Sequence, residues 1–350
     1  MSDMNTFDGL FNSLSRLDIG FYPTPLQKLE NLSKMLGVEI YFKRDDLAGY
    51  NAFCGNKIRK LEFLLADALS KKSEVVITYG ALQSNHAMQT AAVCRRYGLK
   101  PVLFLLDHFD ESSSSNINGN YLLDRLLGAE CHIVRLSDYT NITEAKQGRN
   151  KEADEYKEGL KSKAITYYDI PGGGATPIGS VGFVRGIMEL NEQQMGRKAF
   201  DSLFCAVGSG GTMAGLAVGK KALGLETKLV GFTVGETDDD FSNRIINLAN
   251  QTAFLLGIEQ SCKPTDISID KRYCGEAYER PSEISTQAIK LLAQHEGLFI
   301  DPVYTAKAVA GMIDYIEKGI IKKGSKVCFW HTGGCAALFG DKRLVGDIFN

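Results

Sequence analysis

Short apolar segments alternate with amphipathic segments along most of this chain, and this alternation restricts the fold more than any other feature. Residues 56–70 carry apolar side chains at helical spacing, and residues 86–97 repeat that pattern and stop at Gly98. Segments 75–77 and 101–106 are short and almost wholly apolar. Continuous apolar strands separated by helices are typical of a parallel sheet that is covered on both faces.

The same alternation extends to residue 330, and at roughly 150 residues per domain a chain of 350 residues holds about two domains. We therefore predict an α/β fold with two doubly wound units and mostly parallel sheets. The charged stretch 137–163 is predicted to be a surface helix, and the turn at 172–174 to be the crossing between the units. Further predicted helices are 119–127, 213–223, 241–256, 282–296 and 305–317, and further predicted strands are 131–136, 203–207, 229–234, 298–300 and 326–330.

Composition argues against several classes of partner. Lys plus Arg total 40 and Asp plus Glu total 42, so the net charge of -2 gives no reason to expect nucleic acid or a membrane surface as a partner. The first 18 residues lack a secretory signal pattern, and no segment approaches the roughly 20 apolar residues of a membrane span. Eight scattered cysteines form no CxxC pair, which favours reduced thiols and a cytoplasmic location. Five histidines form no ligand-spaced cluster, so we expect no metal site.

A glycine turn enters a predicted helix at Gly55-Asn56-Lys57-Ile58-Arg59-Lys60-Leu61. Lys57 lies at the helix start, where the helix dipole disfavours an ammonium and so helps to keep the amine nucleophilic enough to form a Schiff base. Lys60 lies on the same face of the helix. The alternative interpretation is that both are ordinary solvated lysines.

Two further loops join a predicted strand to a predicted helix. Gly80-Ala81-Leu82-Gln83-Ser84-Asn85-His86 places polar groups where α/β proteins bind ligands, although Ser84 or Asn85 would also serve as an ordinary helix N-cap. Gly208-Ser209-Gly210-Gly211-Thr212 offers backbone N–H groups and hydroxyls to an anion, and we interpret it as a phosphate cup rather than a plain turn. It matches neither a P-loop nor the GxGxxG fingerprint.

Two motifs near the carboxyl end also follow predicted strands. They are Asp301-Pro302-Val303-Tyr304-Thr305 and His331-Thr332-Gly333-Gly334, and each places hydroxyls at a strand end. Tyr304 could equally be a buried structural phenol, and His331 a core histidine.

Taken together and in this order along the chain, these motifs resemble the fold type II pyridoxal-phosphate lyases. They are most similar to the branch that contains D-cysteine desulfhydrase and 1-aminocyclopropane-1-carboxylate deaminase. The resemblance covers nearly the whole chain. It implies a tryptophan synthase β-like architecture with pyridoxal 5'-phosphate between a larger domain (1–57 and 172–350) and a smaller one (58–171), and a homodimer. The matching segments are YPTPL from residue 22, FKRDDL from 42, GNKIRKLEF from 55, GALQSNHA from 80, the glycine loop, DPVYTAKAVAGM from 301 and HTGG from 331.

The resemblance also implies roles for single residues. Lys57 would hold the cofactor covalently, Asn85 would bond its 3-hydroxyl, and Lys60 and the loop from Ser209 to Thr212 would bind its phosphate. Catalytic roles fall to Lys57, Ser84 and Tyr304, with Ser84 and Asn85 near the substrate carboxylate or Cα. The substrate-binding set is Asn56, Ser84, Asn85, His86 and Tyr304.

Two positions separate the family branches. Deaminases typically carry glutamate after the tyrosine and leucine before the final double glycine, whereas this chain has Thr305 and Thr332, the desulfhydrase pattern. A carboxylate near the ring nitrogen would strengthen the cofactor as an electron sink, and a neutral threonine is adequate when a thiolate can leave Cβ. Both threonines are therefore predicted to lie at the cofactor. Cys54, where relatives usually have glycine, and Met88, where many desulfhydrases have arginine, depart from the pattern.

We therefore predict a lyase that converts D-cysteine, or a similar β-substituted D-amino acid, to pyruvate, ammonia and hydrogen sulfide. The alternatives are a 1-aminocyclopropane-1-carboxylate deaminase and a relative that binds ligands without catalysis. A nucleotide-binding protein without pyridoxal phosphate ranks last because it would leave Lys57 unexplained.

Overall fold

Two separate sheets organise the computed structural model, which describes residues 9–110, 112, 117–236 and 238–348. The larger sheet has six strands in the order β1-β2-β10-β7-β8-β9. Only β1 runs antiparallel to its neighbour; the other pairs are parallel. The strands are β1 (Leu26–Lys28), β2 (Glu39–Arg44), β7 (Ser202–Val207), β8 (Lys228–Thr233), β9 (Ile267–Asp270) and β10 (Lys326–His331).

The smaller sheet is parallel throughout. Its four strands follow the order β5-β4-β3-β6. All of them lie within the segment predicted to form the smaller domain, although the domain boundaries themselves stay a prediction. The strands are β3 (Val75–Ala81), β4 (Lys100–Asp107), β5 (Glu130–Arg135) and β6 (Tyr167–Ile170).

Eleven α-helices connect or flank these strands in the described residues. Predicted helices are found within one or two residues of their expected bounds, apart from the surface helix, which occupies the later part of its predicted stretch. In chain order they are α1 (Glu30–Leu36), α2 (Lys57–Ser70), α3 (Asn85–Arg96), α4 (Gly119–Leu126), α5 (Ile142–Ser162), α6 (Pro177–Gln193), α7 (Gly211–Ala222), α8 (Phe241–Leu255), α9 (Glu283–Glu296), α10 (Thr305–Glu317) and α11 (Lys342–Val345).

Both faces of the larger sheet are covered, as the continuous apolar strands predict. In β10, Cys328 and Trp330 belong to one core cluster, and Val327 and Phe329 belong to another. Because successive strand side chains point to opposite faces, the two clusters lie on opposite sides of the sheet. The predicted fold class, two doubly wound α/β units, is confirmed.

One predicted strand is wrong. Residues 298–300 form no strand, although Leu298 and Ile300 are buried. The carbonyl oxygen of Phe299, between them, accepts hydrogen bonds from the ring of His331 and the thiol of Cys335. Side chains therefore satisfy this backbone group in place of a neighbouring strand.

Helix α6 is the longest helix that the sequence pattern did not reveal, and its glycines explain why. Gly182 and Gly186 interrupt its apolar pattern and lower its intrinsic helix propensity. A Cβ at Gly182 would lie 2.0 Å from the carbonyl oxygen of Arg59, so only glycine permits this close packing of α6 against α2.

None of the helices within the described ranges has both the length and the apolar character of a membrane span. All eight cysteines are free thiols, and six of them, including Cys54, are buried. In the same ranges, no three His, Cys, Asp or Glu side chains converge as metal ligands would.

Candidate active site

Loops after strands of both sheets meet at one small cavity. The loop after β3 leads to Asn85, the loop after β7 supplies the glycine cup, and the segment after β10 supplies Thr332. Most of the predicted site residues line this cavity; Ser84, His86, Lys60, Gly211 and Thr305 do not. The lining consists of Asn56, Lys57, Asn85, Ala206, Val207, Gly208, Ser209, Gly210, Thr212, Met213, Tyr304 and Thr332.

Lys57 is the first residue of α2 and lies on the cavity wall. Burial lowers the pKa of its amine to about 8, and the nearby carboxylate of Asp301 only partly opposes this shift. A larger share of the amine is therefore neutral near pH 7 than in a solvated lysine, as a nucleophilic lysine requires.

Lys60 lies one turn further along α2 and is fully buried. Its amine donates to the carbonyl oxygen of Gly173 at 2.9 Å. Burial, and then the positive charge of Lys57, hold the pKa of Lys60 well below its ordinary value. A Cβ added at Gly211 would lie 2.8 Å from this nitrogen, so the amine reaches the glycine loop itself.

The glycine loop ends in the N-terminus of α7. Gly210, at φ 86°, occupies the N-cap position, and no side chain in the described ranges caps the helix. The first N–H groups of α7 therefore remain free to bind an anion. The hydroxyl of Thr212 accepts a hydrogen bond of 3.3 Å from Asn56, which ties the loop to the turn before Lys57.

This arrangement has a deficit of negative charge. Within the described residues neither Lys57 nor Lys60 forms an ion pair, although Lys60 is fully buried and Lys57 is partly buried at a cavity that the free helix N–H groups also reach. Buried charges normally have partners. A phosphate group would supply the missing anion, and a reactive aldehyde next to it would meet Lys57. The residues therefore fit a ligand that carries both groups.

Ser84 and Asn85 start helix α3. Ser84 is its N-cap, and its hydroxyl accepts a hydrogen bond from the N–H of Ala87 at 3.2 Å. The Oδ1 atom of Asn85 accepts from the Nδ2 atom of Asn120, in α4, at 2.7 Å. This bond orients the amide of Asn85 so that its own Nδ2 lies toward Gly334, at the edge of the cavity. Asn85 therefore presents a donor to a ligand.

Tyr304 faces the cavity and is paired with a second tyrosine. Its hydroxyl lies 2.6 Å from the hydroxyl of Tyr278, which belongs to the segment between β9 and α9. Burial raises the pKa of both phenols, so both are protonated near neutral pH. One of the two hydroxyls therefore donates to the other, and the pair keeps one proton available for a ligand.

Thr305 and Thr332 have different surroundings. Thr332 lines the cavity. Thr305 is fully buried, and its hydroxyl donates to the Oδ1 atom of Asp301 at 2.6 Å. The carboxylate of Asp301 also accepts from the N–H groups of residues 303–305, and in this way it caps the start of α10. Thr305 thus orients Asp301 and does not contribute to the lining.

His86 lies behind the cavity lining. Its Nε2 atom lies 3.0 Å from the hydroxyl of Thr78, and its buried Nδ1 atom has no hydrogen-bond partner among the described residues. Burial, followed by the charges of Lys57 and Lys60, holds the pKa of the imidazole well below its ordinary value. A neutral ring is the expected form, and the predicted contact of His86 with substrate stays a prediction.

Sequence reasoning missed three residues that shape this site: Tyr278, Asn120 and Asp301. The motif from 301 to 305 did contain a signal for Asp301, because an acid just before a helix is a common capping residue. Tyr278 and Asn120 carried no such signal, since each reaches the site only through the tertiary fold.

Comparisons with known proteins agree with this chemistry. A family model described as "Pyridoxal-phosphate dependent enzyme" matches residues 17–333. A putative 1-aminocyclopropane-1-carboxylate deaminase of Pyrococcus horikoshii is 39% identical over 96% of this chain and 97% of the relative. A D-cysteine desulfhydrase of Yersinia enterocolitica is 39% identical over 93% of this chain and 95% of the relative.

Solved structures give the same result. The crystal structure of an ACC deaminase homologue covers 96% of this chain and 97% of its own, with 38% identity and a TM-score of 0.84. A threonine deaminase from Solanum lycopersicum, 22% identical with a TM-score of 0.61 over 93% of this chain and 85% of its own, shares the fold. This chain belongs to the family of pyridoxal-phosphate-dependent enzymes, in the group that contains 1-aminocyclopropane-1-carboxylate deaminases and D-cysteine desulfhydrases.

Proposed function

We propose that this enzyme eliminates a leaving group from Cβ of D-cysteine, or of a similar β-substituted D-amino acid, and releases pyruvate, ammonia and hydrogen sulfide. The observation that supports the proposal is that the cavity lining carries no carboxylate in the described residues. Thr332 lies on this lining.

The residues that would hold pyridoxal phosphate follow from the contacts above. Lys57 would bind its aldehyde carbon. Lys60, the free N–H groups of α7 and the hydroxyls of Ser209 and Thr212 would bind its phosphate, and the Nδ2 atom of Asn85 would donate to its 3-hydroxyl. When bound, the cofactor supplies a carbonyl that joins a substrate amine and a ring that accepts electrons from a bond broken at Cα.

The protein would supply proton transfer and orientation. The Lys57 amine, with its pKa lowered to about 8, would take the proton from Cα of the substrate. The N-terminus of α3, which Ser84 caps, would bind the substrate carboxylate. Tyr304, paired with Tyr278, would hold a proton near the departing group.

A lining without a carboxylate, as found in the described residues, favours a substrate with a good leaving group. A carboxylate beside the ring nitrogen would strengthen electron withdrawal, which opening a cyclopropane ring would demand. Asp301 is close, but its carboxylate is already bonded to the hydroxyl of Thr305 and to the backbone N–H groups of residues 303–305. A thiolate leaves Cβ readily, so the milder sink would be sufficient.

A deaminase is the second candidate, because relatives with that name are as similar as the named desulfhydrase. A ligand-binding relative without activity is less favoured. It would not explain why Lys57, Ser84, Asn85 and Tyr304 are all present around one cavity.

Product analysis separates these candidates. The purified holoenzyme is incubated with D-cysteine, L-cysteine, β-chloro-D-alanine and 1-aminocyclopropane-1-carboxylate. We expect pyruvate from D-cysteine and β-chloro-D-alanine, with sulfide from the former. Release of 2-oxobutyrate from the cyclopropane substrate as the main activity would replace the proposal with the deaminase, and no product from any substrate would favour the silent relative.

Lys57→Ala tests the assignment of the reacting amine. We expect the variant to lose both turnover and the yellow colour of the bound cofactor. Lys71→Ala, which removes an exposed lysine that follows the same helix, is the control and should keep both. A Lys57→Ala protein that remained yellow and active would refute the assignment. The homodimer and the cytoplasmic location also stay predictions.

A further inference from the structure

Lys307 is a buried lysine in the first turn of α10, outside the cavity lining. Its amine donates to three backbone carbonyl oxygens: that of Cys274 at 2.6 Å, that of Ala277 at 2.8 Å and that of Val234 at 3.2 Å. An ammonium has three N–H donors and a neutral amine has only two. The three acceptors therefore match the charged form.

No carboxylate in the described chain pairs with this charge. Burial lowers the pKa of Lys307 to about 8, and Asp301 and Glu279 oppose the shift only from a distance. The first turn of a helix also disfavours a cation. The three carbonyl oxygens are thus the direct hydrogen-bond partners of the ammonium, as carbonyl oxygens are the ligands of many bound metal cations.

The three carbonyls belong to two segments, and the amine of Lys307 hydrogen-bonds to both of them. Val234 follows β8, whereas Cys274 and Ala277 lie in the loop that carries Tyr278. Lys307 itself is three residues beyond Tyr304. The amine therefore fixes the loop of Tyr278 to the helix that begins beside Tyr304, and the two tyrosine hydroxyls are 2.6 Å apart.

We propose that the ammonium of Lys307 takes the place of a bound monovalent cation. The three carbonyl oxygens around it, which we call the carbonyl cage, hold Tyr278 in position against Tyr304. Lys307 is a positioning residue, since it touches neither the cavity nor a reacting atom. The cage is a latent binding site for a monovalent cation, which an ion of similar size can occupy when the side chain is removed.

Lys307→Ala opens the cage, and its melting temperature and kcat/KM are measured as holoenzyme in choline chloride, potassium chloride and ammonium chloride at equal ionic strength. In choline chloride we expect kcat/KM to fall by about tenfold or more, since small displacements of catalytic groups have effects of this size. Potassium or ammonium should restore most of the loss with a saturable dependence and raise the melting temperature by roughly 3 °C or more. The wild-type enzyme should respond equally to all three salts.

Lys307→Met is the matched control, because it fills the space without a charge. It should lose activity to a similar degree and should not recover in any salt. The proposal is overturned if Lys307→Ala loses the same activity and stability in all three salts, or if either variant keeps wild-type values in choline chloride. Should Lys307→Ala fail to fold, Lys307→Met decides in the same way: full activity overturns the proposal, and a loss of about tenfold supports it. The melting measurement does not depend on which substrate the enzyme uses, so it stands even if the proposed function fails.

Discussion

Helix α2 carries cationic side chains on two sides. On one side the cation is paired with carboxylates, and on the other side the cations have no such partner in the described residues. On one side, Arg59 donates to the carboxylates of Asp45 and Glu189 at 2.7–3.0 Å. Burial alone would lower the pKa of Arg59, but these carboxylates outweigh it and hold the pKa above its ordinary value. On the other side, Lys57 and Lys60 have lowered pKa values and form no ion pair in the described chain.

The difference distinguishes a structural network from a ligand site. The Arg59 network satisfies itself: Glu189 also binds Lys43, and the indole N–H of Trp330 donates to Asp45 at 2.6 Å. The lysine side leaves positive charge and free helix N–H groups uncompensated until an anion arrives. The protein gives up stability on that side, and a bound phosphate would recover it.

The largest expected effect comes from breaking the Arg59 network, which we call the satisfied side of α2. Arg59→Met would leave the buried carboxylates of Asp45 and Glu189 without their main partner, so we expect the free energy of unfolding of the cofactor-free protein to fall by about 3–5 kcal/mol. Urea denaturation followed by circular dichroism measures this. A loss below about 1 kcal/mol, the range of surface ion pairs, would contradict the view that this network is structural.

Lys60→Met makes the matched change on the side of α2 that carries Lys57 and Lys60, which we call the open side. We expect the cofactor-free protein to keep its stability, because an uncompensated buried cation has been removed. Affinity for pyridoxal phosphate should fall by about ten- to a hundredfold, the effect of losing one charged hydrogen bond to the phosphate. Titration of the cofactor-free protein, followed by absorbance, gives the affinity. Equal losses of stability for Lys60→Met and Arg59→Met would contradict the distinction between a structural network on one side of α2 and a ligand site on the other.

The two sides should also differ in their response to pH. The folded protein releases the proton of Lys57 near pH 8, whereas the unfolded chain holds it to about 10.5, so the unfolded state binds more protons in this window and stability rises with pH. We expect the cost of burying the charged amine, about 3 kcal/mol, to be fully present below pH 8 and to disappear toward pH 10.5. The comparison is cofactor-free wild type against cofactor-free Lys57→Met, with unfolding in urea measured at several pH values. A difference that is constant with pH would refute the shift.

The sequence could predict the open side better than the satisfied side. Lys57 follows a glycine turn at a helix start, and the glycine loop follows a buried strand, so both were recognisable locally. Arg59 and Lys60 are adjacent cations with the same local pattern. What separates them is Glu189, 130 residues beyond Arg59. The same limit applies to Tyr278 and its hydrogen bond with Tyr304, because such partners are chosen by tertiary packing and leave no periodic trace in the chain.

The smallest expected effect is the binding of a simple anion by the cofactor-free protein, which tests for unpaired positive charge at the glycine loop. Inorganic phosphate should bind the free N–H groups of α7 and Lys60 in the cofactor-free protein and raise its melting temperature by about 2–4 °C at concentrations well above the dissociation constant. Lys60→Met should lose most of this increase because the buried cation is gone. Chloride at matched ionic strength is the control for charge screening. It lacks the several acceptor oxygens with which phosphate can bind the N–H groups of the loop. Equal stabilisation of both proteins by phosphate would mean that the anion acts elsewhere, and the two sides of α2 would then no longer differ in the way that their charges imply.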